Sequence, residues 1–282
     1  MTWTELAFEE LIDKHRGLLF DAYGVLVDAG GALGRAGASL ERLSREGRPW
    51  LVVTNDASRS PERASRRFCS LGLEVEPERV LSAGAMLTPY FKSRGLVGAR
   101  CVVLGTGDST WYVQRAGGVP VEPDAEAPAD ALVVCDEQGF DFFSTMDEVL
   151  SMVLRGVESG RAIELLVPNP DLIYPAAGGR FGFTAGSIAR MLEEALALRL
   201  GADAPRFTAL GKPSAEIFRH ACDLAGTGDC VMLGDQLHTD VAGARAAGLS
   251  AAIVLTGVTS RDGLRRARET GGLVPDYVLP HV

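Results

Sequence analysis

Apolar residues along this chain gather in short runs, and the stretches between the runs carry helical spacing. The runs are Leu18–Asp21, Trp50–Thr54, Cys101–Gly105, Ala131–Cys135, Ile163–Val167, Phe207–Leu210, Cys230–Gly234 and Ala251–Leu255. Most are continuous rather than alternating, the pattern of strands in a parallel sheet covered on both faces by helices. Amphipathic stretches near 38–46, 60–71, 83–93, 145–158, 186–199, 214–225 and 240–247 predict the helices. Ser60-Pro61-Glu62 reads as a helix start, with proline first and an acid in the first turn. Gly248 reads as a helix stop. Strand and helix alternating at this spacing predict an α/β protein. Asp28 to Gly37 and Pro120 to Pro128 read as loops, and neither an internal repeat nor a low-complexity segment is visible.

Length and charge narrow the picture. A chain of 282 residues is one large domain or two of ordinary size. Its net charge of −9 repels phosphate backbones, so nucleic acid is not an expected partner. No apolar run approaches the roughly 20 residues of a membrane helix, so no membrane partner is expected either. The stretch MTWTELAFEELIDKH is acidic and amphipathic, unlike a leader, which makes the cytoplasm the expected compartment. The five cysteines (Cys69, Cys101, Cys135, Cys222, Cys230) are scattered, without a CxxC pair, and read as small hydrophobes. The four histidines (His15, His220, His238, His281) lack metal-ligand spacing.

Ligands of open parallel sheets bind beyond the carboxyl ends of the strands. Four strand ends here carry chemistry: Asp21, then Thr54-Asn55-Asp56, then Gly211-Lys212, then Asp235 with Thr239-Asp240 after it. A carboxylate nucleophile, a hydroxyl, a lysine and a further acidic pair at one edge suit phosphoryl transfer.

These residues resemble the four motifs of the haloacid-dehalogenase (HAD) superfamily hydrolases, in order. LLFDAYGVLVD surrounds Asp21, VVTND holds Thr54, GKPS holds Lys212, and LGDQLHTD holds Asp235 and Asp240. Only 32 residues separate Asp21 from Thr54, whereas 157 separate Thr54 from Lys212, so an inserted cap belongs in the second interval. That arrangement is similar to the NagD-like sugar-phosphatase branch, as is PNPDLIYP (168–175) followed by Gly178-Gly179 and a helix from about Gly186. The resemblance implies a doubly wound, Rossmann-like core of residues 1–82 and 205–282, with an α/β cap at 83–204. It further implies hydrolysis of a small phosphate monoester, a sugar phosphate by branch, through an aspartyl-phosphate on Asp21. Mg²⁺ would be held by Asp21, the Tyr23 carbonyl and Asp235, with Asp240 near it through water or by fixing Lys212. Thr54, Asn55, Asp56 and Lys212 would hold the substrate, and Pro213, as first helical residue, would add a helix N-terminus to the anion site. The partner would be a small phosphorylated metabolite, and the branch allows a homodimer.

One position departs from the pattern. Phosphatases of the superfamily carry a second Asp two residues after the nucleophile, as acid and base; here Tyr23 stands there. A phenol is a poor base at neutral pH, while the backbone carbonyl still serves a metal. Three readings follow: Asp56, His238 or a cap residue supplies the proton; the leaving group is acidic enough to need none; or the protein is a weak catalyst retained for binding phosphometabolites. Asp-x-Tyr also resembles the metal-independent haloacid dehalogenases, but those place the cap between the first two motifs and lack GDxxxTD.

Elsewhere the sequence favours structural roles. Asn169 and Asp171 are expected to shape the cap turn. Gly105-Thr106-Gly107 lacks the third glycine of a dinucleotide loop, since Thr110 stands there, and reads as a plain strand-to-helix turn. Trp111 and Tyr112 read as cap core or interface.

Overall fold

The computed structural model describes residues 3–127, 129–176 and 180–282. The predicted Gly178-Gly179 turn and Pro128 lie outside the described residues, as does the side chain of Pro175. The chain forms two compact units: residues 1–54, 61–81 and 212–282 make the first, and 55–60 with 82–211 the second.

The first unit begins with β1 (Thr4–Glu5), α1 (Phe8–Ile12) and β2 (Gly17–Phe20). Every residue of β2 is buried, as its unbroken apolar run requires. The expected loop after it is in part a tight hairpin of β3 (Val27–Asp28) and β4 (Gly31–Ala32). Asp28 Oδ1 closes the hairpin by accepting the Gly30 and Gly31 amides at 2.7 and 3.2 Å. Next come α2 (Ala36–Arg45), β5 (Trp50–Thr54), α3 (Pro61–Ser70) and β6 (Val80–Ser82). Pro61 opens α3, where its missing N–H costs nothing.

The second unit carries α4 (Leu87–Arg94), β7 (Arg100–Leu104), α5 (Gly107–Arg115), β8 (Val119–Val121), β9 (Ala131–Val134), α6 (Phe142–Glu158) and β10 (Glu164–Val167). It continues with the antiparallel pair β11 (Ile173–Ala176) and β12 (Arg180–Phe183), then α7 (Ala185–Leu200) and β13 (Thr208–Ala209). Its main sheet is parallel, in the order β13-β10-β9-β7-β8. Pro120, expected in a loop, sits in β8, where the sheet edge tolerates a residue without an N–H. Val102, Leu132, Leu165, Met152 and Leu192 are among the buried residues of this unit's own core.

The chain then returns to the first unit with α8 (Ala215–Ala225), β14 (Cys230–Gly234), α9 (Ala242–Ala246), β15 (Ser250–Val254), α10 (Arg261–Glu269) and β16 (Tyr277–Leu279). The seven strands order as β1-β16-β15-β14-β2-β5-β6. Phe20 of β2 stands in register with Leu233 of β14 on one side and Val52 of β5 on the other, all parallel. Three neighbouring strands therefore end together, and Asp21, Thr54 and Asp235 stand at that edge. The core beneath includes Phe8, Phe20 and Trp50, with ring centroids 6.2 and 6.5 Å apart. Among the described residues no helix is long and apolar enough to cross a membrane.

Candidate active site

Four side chains of the first unit converge at this edge. Asp21 follows β2, and its amide is anchored to the Leu233 carbonyl of the adjacent strand at 2.8 Å. Its Oδ1 accepts the Ala22 amide at 2.7 Å and faces the Lys212 ammonium at 2.8 Å. Lys212 Nζ also donates to Asp240 Oδ1 at 2.7 Å, so one lysine is clamped between two carboxylates. Asp240 is completely buried, and its Oδ2 accepts the amides of Asp235 and Gln236, both at 3.1 Å. It can turn back onto the end of β14 because Leu237–Val241 forms a single wide π turn.

Asp235 is held by the loop after β15. Its Oδ2 accepts the Val258 amide at 2.8 Å, and its carbonyl accepts the Thr259 amide at 3.0 Å. This close approach depends on missing side chains: a Cβ on Gly24 or Gly257 would collide with the Asp235 carboxylate. Asp235 Oδ1 is buried without a hydrogen-bond partner. A buried carboxylate oxygen left in that state costs free energy unless a cation meets it.

The charge count points the same way. Asp21, Asp235 and Asp240 offer oxygens within 4.8 Å of one another, the group among the described residues able to hold a metal ion. Against three carboxylates stands one ammonium. Burial, and then the Asp240 and Asp235 charges, lift the Asp21 carboxyl to about 8, against the pull of Lys212. Burial and Asp240 lift Asp235 to about 6. Burial disfavours the Lys212 ammonium, but Asp21 and Asp240 outweigh it and hold the proton more tightly than usual. The donor set is all oxygen, hard and in net excess of negative charge, and it fits a divalent cation such as Mg²⁺.

The other expected residues fall as follows. Thr54 ends β5, beside the end of β2. Tyr23 is 44% exposed in a loop tied down by Gly24 N–H to the Val27 carbonyl and by the Thr256 hydroxyl to the Gly24 carbonyl. His238 is exposed on the π turn. Asn55 and Asp56 belong to the second unit, with side chains already engaged there. Asn55 Nδ2 donates to Asp171 Oδ1 at 3.1 Å, while Asp56 accepts from the Ser58 amide and hydroxyl and from Arg59. Asp171 N–H in turn donates to Asn169 Oδ1, so these two residues do shape their turn. Thr106 caps α5 by accepting the Ser109 amide, and Gly105-Thr106-Gly107 is a strand-to-helix turn. Tyr112 is buried and bonded to the Ser82 hydroxyl and the Arg59 carbonyl. Pro213 is not the first helical residue: the Ser214 side chain accepts the Glu216 amide and caps α8, which starts at Ala215. The amides of Ala22 and Val258 and the glycines around Asp235 were not predicted. Backbone donors leave no residue-type signal, and the glycines read only as turn residues.

Known proteins resemble this chain in sequence and fold. Residues 18–118 match the haloacid dehalogenase-like hydrolase family, and residues 209–282 match the HAD-hydrolase-like family. Glycerol-3-phosphate phosphatase of Gallus gallus is 30% identical, covering 94% of this chain and 89% of that protein. Ribonucleotide monophosphatase NagD of Escherichia coli K12 is 26% identical, covering 86% of this chain and 87% of that protein. Among solved structures, a possible sugar phosphatase from Cytophaga hutchinsonii superposes with a TM-score of 0.83 at 29% identity, covering 99% and 98% of the two chains. The glycerol phosphate phosphatase of Mycobacterium tuberculosis in complex with magnesium gives 0.78 at 27%, covering 94% of this chain and 75% of that one.

Proposed function

The chain belongs to the haloacid-dehalogenase-like hydrolases, as a NagD-like phosphoric monoester hydrolase, and from that premise we propose that it hydrolyses a small phosphate monoester in a Mg²⁺-dependent reaction at Asp21. The observation that carries this reading is the buried Asp21–Lys212–Asp240 clamp beside an Asp235 oxygen without a partner. Mg²⁺ would be held by the carboxylates of Asp21 and Asp235 and the Tyr23 carbonyl. When bound, it supplies positive charge to the phosphoryl oxygens.

The chain's own residues do the rest. Lys212 and the Ala22 amide hold Asp21 Oδ1, which leaves Oδ2 to attack phosphorus. The Asp21–phosphorus bond forms as the bond to the ester oxygen breaks, and water later releases phosphate from the aspartyl-phosphate. Asp240 has three hydrogen bonds on its two oxygens, which supports a positioning role: it would aim Lys212 and meet an ion only through water. Thr54 and Lys212 would bind phosphoryl oxygens, with Asn55 and Asp56 as further substrate contacts. The inserted unit takes the role of a cap that selects the ester. A sugar or glycerol phosphate is the class favoured, from the activities named for the relatives.

Tyr23 supports a second reading on the same scaffold, in which the ester has an acidic leaving group or turnover is weak. Phosphate release, with Mg²⁺ and with chelator, from acetyl and aryl phosphates and from a panel of sugar and glycerol phosphates tests both. Good turnover of one sugar or glycerol phosphate supports the first reading. Release confined to the acyl and aryl esters supports the second, and no release from any substrate overturns both.

A further inference from the structure

A cavity of about 250 Å³ opens beside the π turn. It is lined by Gln236 and His238 of the segment after β14, and by Thr259, Ser260, Gly263 and Arg266 of the loop and helix after β15. None of the lining residues is acidic, although the chain carries 37 acidic residues against 28 basic ones. The polar groups around the cavity are also unused. Among the described residues, the Gln236 side-chain amide, the His238 ring, the Thr259 hydroxyl and the Arg266 guanidinium meet no hydrogen-bond or ion-pair partner. The other arginines of α10 are engaged: Arg261 pairs with Glu5, Arg265 with Asp262 at 3.2 Å, and Arg268 lies over the Trp3 ring. Ser260 caps α10, its hydroxyl accepting the Gly263 amide at 3.1 Å, so the positive end of the helix dipole opens on the cavity.

We propose that this cavity binds a small phosphate-type oxyanion, as free inorganic phosphate or as the phosphate of a small metabolite. Arg266 supplies the charged contact, since its planar fork matches two oxygens of a phosphate. The Gln236 side-chain amide, the His238 ring and the Thr259 hydroxyl supply neutral donors around it. The size fits this class of ligand, being below the roughly 300–1,000 Å³ that drug-sized molecules fill. The site lies next to the candidate active site along the chain but shares no residue with it. The segment that lines it also holds Asp235, whose carboxylate and carbonyl accept the Val258 and Thr259 amides at 2.8 and 3.0 Å. None of the lining side chains takes part in the proposed hydrolysis, so this site stands whether or not that reading does.

The test titrates inorganic phosphate and, in parallel, glycerol 3-phosphate into the full-length chain by calorimetry, in chelator and at fixed ionic strength. Without a metal ion the Asp21, Asp235 and Asp240 carboxylates outnumber Lys212 and repel both ligands, so binding reports on the second site. The expected result is saturable binding of one ligand per chain. Arg266→Gln and Gly263→Glu should each weaken it by about tenfold or more, while Asp21→Asn leaves it unchanged. A Cβ on Gly263 meets only ordinary contacts, 3.5 Å from Ser260 Oγ. Glutamate is also favoured three residues after a serine cap, so that variant keeps its fold and brings a carboxylate to the cavity. Tighter binding of either ligand supports the site and tells which source fills it. The proposal is overturned if neither ligand binds, if both cavity variants bind as the unmodified chain does, or if Asp21→Asn alone abolishes binding.

Discussion

Strand β14 carries an aspartate at each end, Asp229 before its first residue and Asp235 after its last, and the two live in opposite physical states. Asp229 is about half exposed. It pairs with His15 Nδ1 at 3.0 Å and accepts the Arg16 amide at 3.3 Å. The hydrogen bond from His15 outweighs its slight burial and holds its carboxyl below the usual range. Asp235 is 2% exposed, sits among like charges, keeps one oxygen without a partner, and is pushed up to about 6. The same residue type on the same strand is thus satisfied at one end and frustrated at the other. Frustration of that kind persists where a missing ligand relieves it, and partnering marks a structural contact.

Asp21→Asn should lower turnover by at least about a thousand-fold with unchanged circular dichroism, because the nucleophile is lost while its hydrogen-bonding shape remains. Full activity in that variant would remove the nucleophile assignment. Asp235→Asn should cost about 10²-fold in activity or metal affinity, yet raise the melting temperature of the metal-free protein by relieving a buried negative charge. Tyr23→Asp should raise activity on alkyl phosphates by about tenfold or more if the missing proton donor limits the rate. No gain would point to another donor or to a more acidic leaving group.

A smaller effect concerns pH. Asp21 and Asp235 titrate at about 8 and 6 in the folded protein, above the 3.8 of a free carboxyl. The folded state therefore binds more protons than the unfolded chain between about pH 4 and 8. Stability of the metal-free protein is fully present below pH 4 for these groups and is lost as pH rises through 6 and 8. Melting curves without metal should decline across that window, and Mg²⁺ should restore more stability at pH 8 than at pH 5, where protons compete for the carboxylates. Last, Asp229→Asn should leave activity unchanged and shift stability by no more than about 1 kcal/mol, as for other exposed ion pairs. A large activity loss there would erase the contrast between the two ends.

Much of this was legible in the sequence because the candidate site residues close continuous apolar runs. LLF before Asp21, LVV before Thr54 and VMLG before Asp235 mark both a strand and its chemical end. What escaped has local reasons. Strands β1, β3 and β4 have two residues each, too few for any period to show. Helix α10 buries only Leu264 and is otherwise charged or small, so it lacks the apolar stripe that announces a helix. The VVTND motif looks continuous, yet Thr54 belongs to the first unit and Asn55 to the second. The Ser60 amide bonds to Asp108, Ser58 to Thr106 and Ala57 to Ser109, and these partners lie about 50 residues further along the chain. The Val258 amide meets Asp235 across 23 residues, and no spacing rule links an amide to a carboxylate at that distance.

Phosphate release by the unmodified chain and by Asp235→Asn, each with Mg²⁺ and with chelator, shows whether the ion acts at Asp235. The unmodified chain should turn over with Mg²⁺, lose activity in chelator and recover on adding Mg²⁺ back, while Asp235→Asn should respond little to the ion. Equal turnover with and without chelator, or a full Mg²⁺ response in Asp235→Asn, would contradict this.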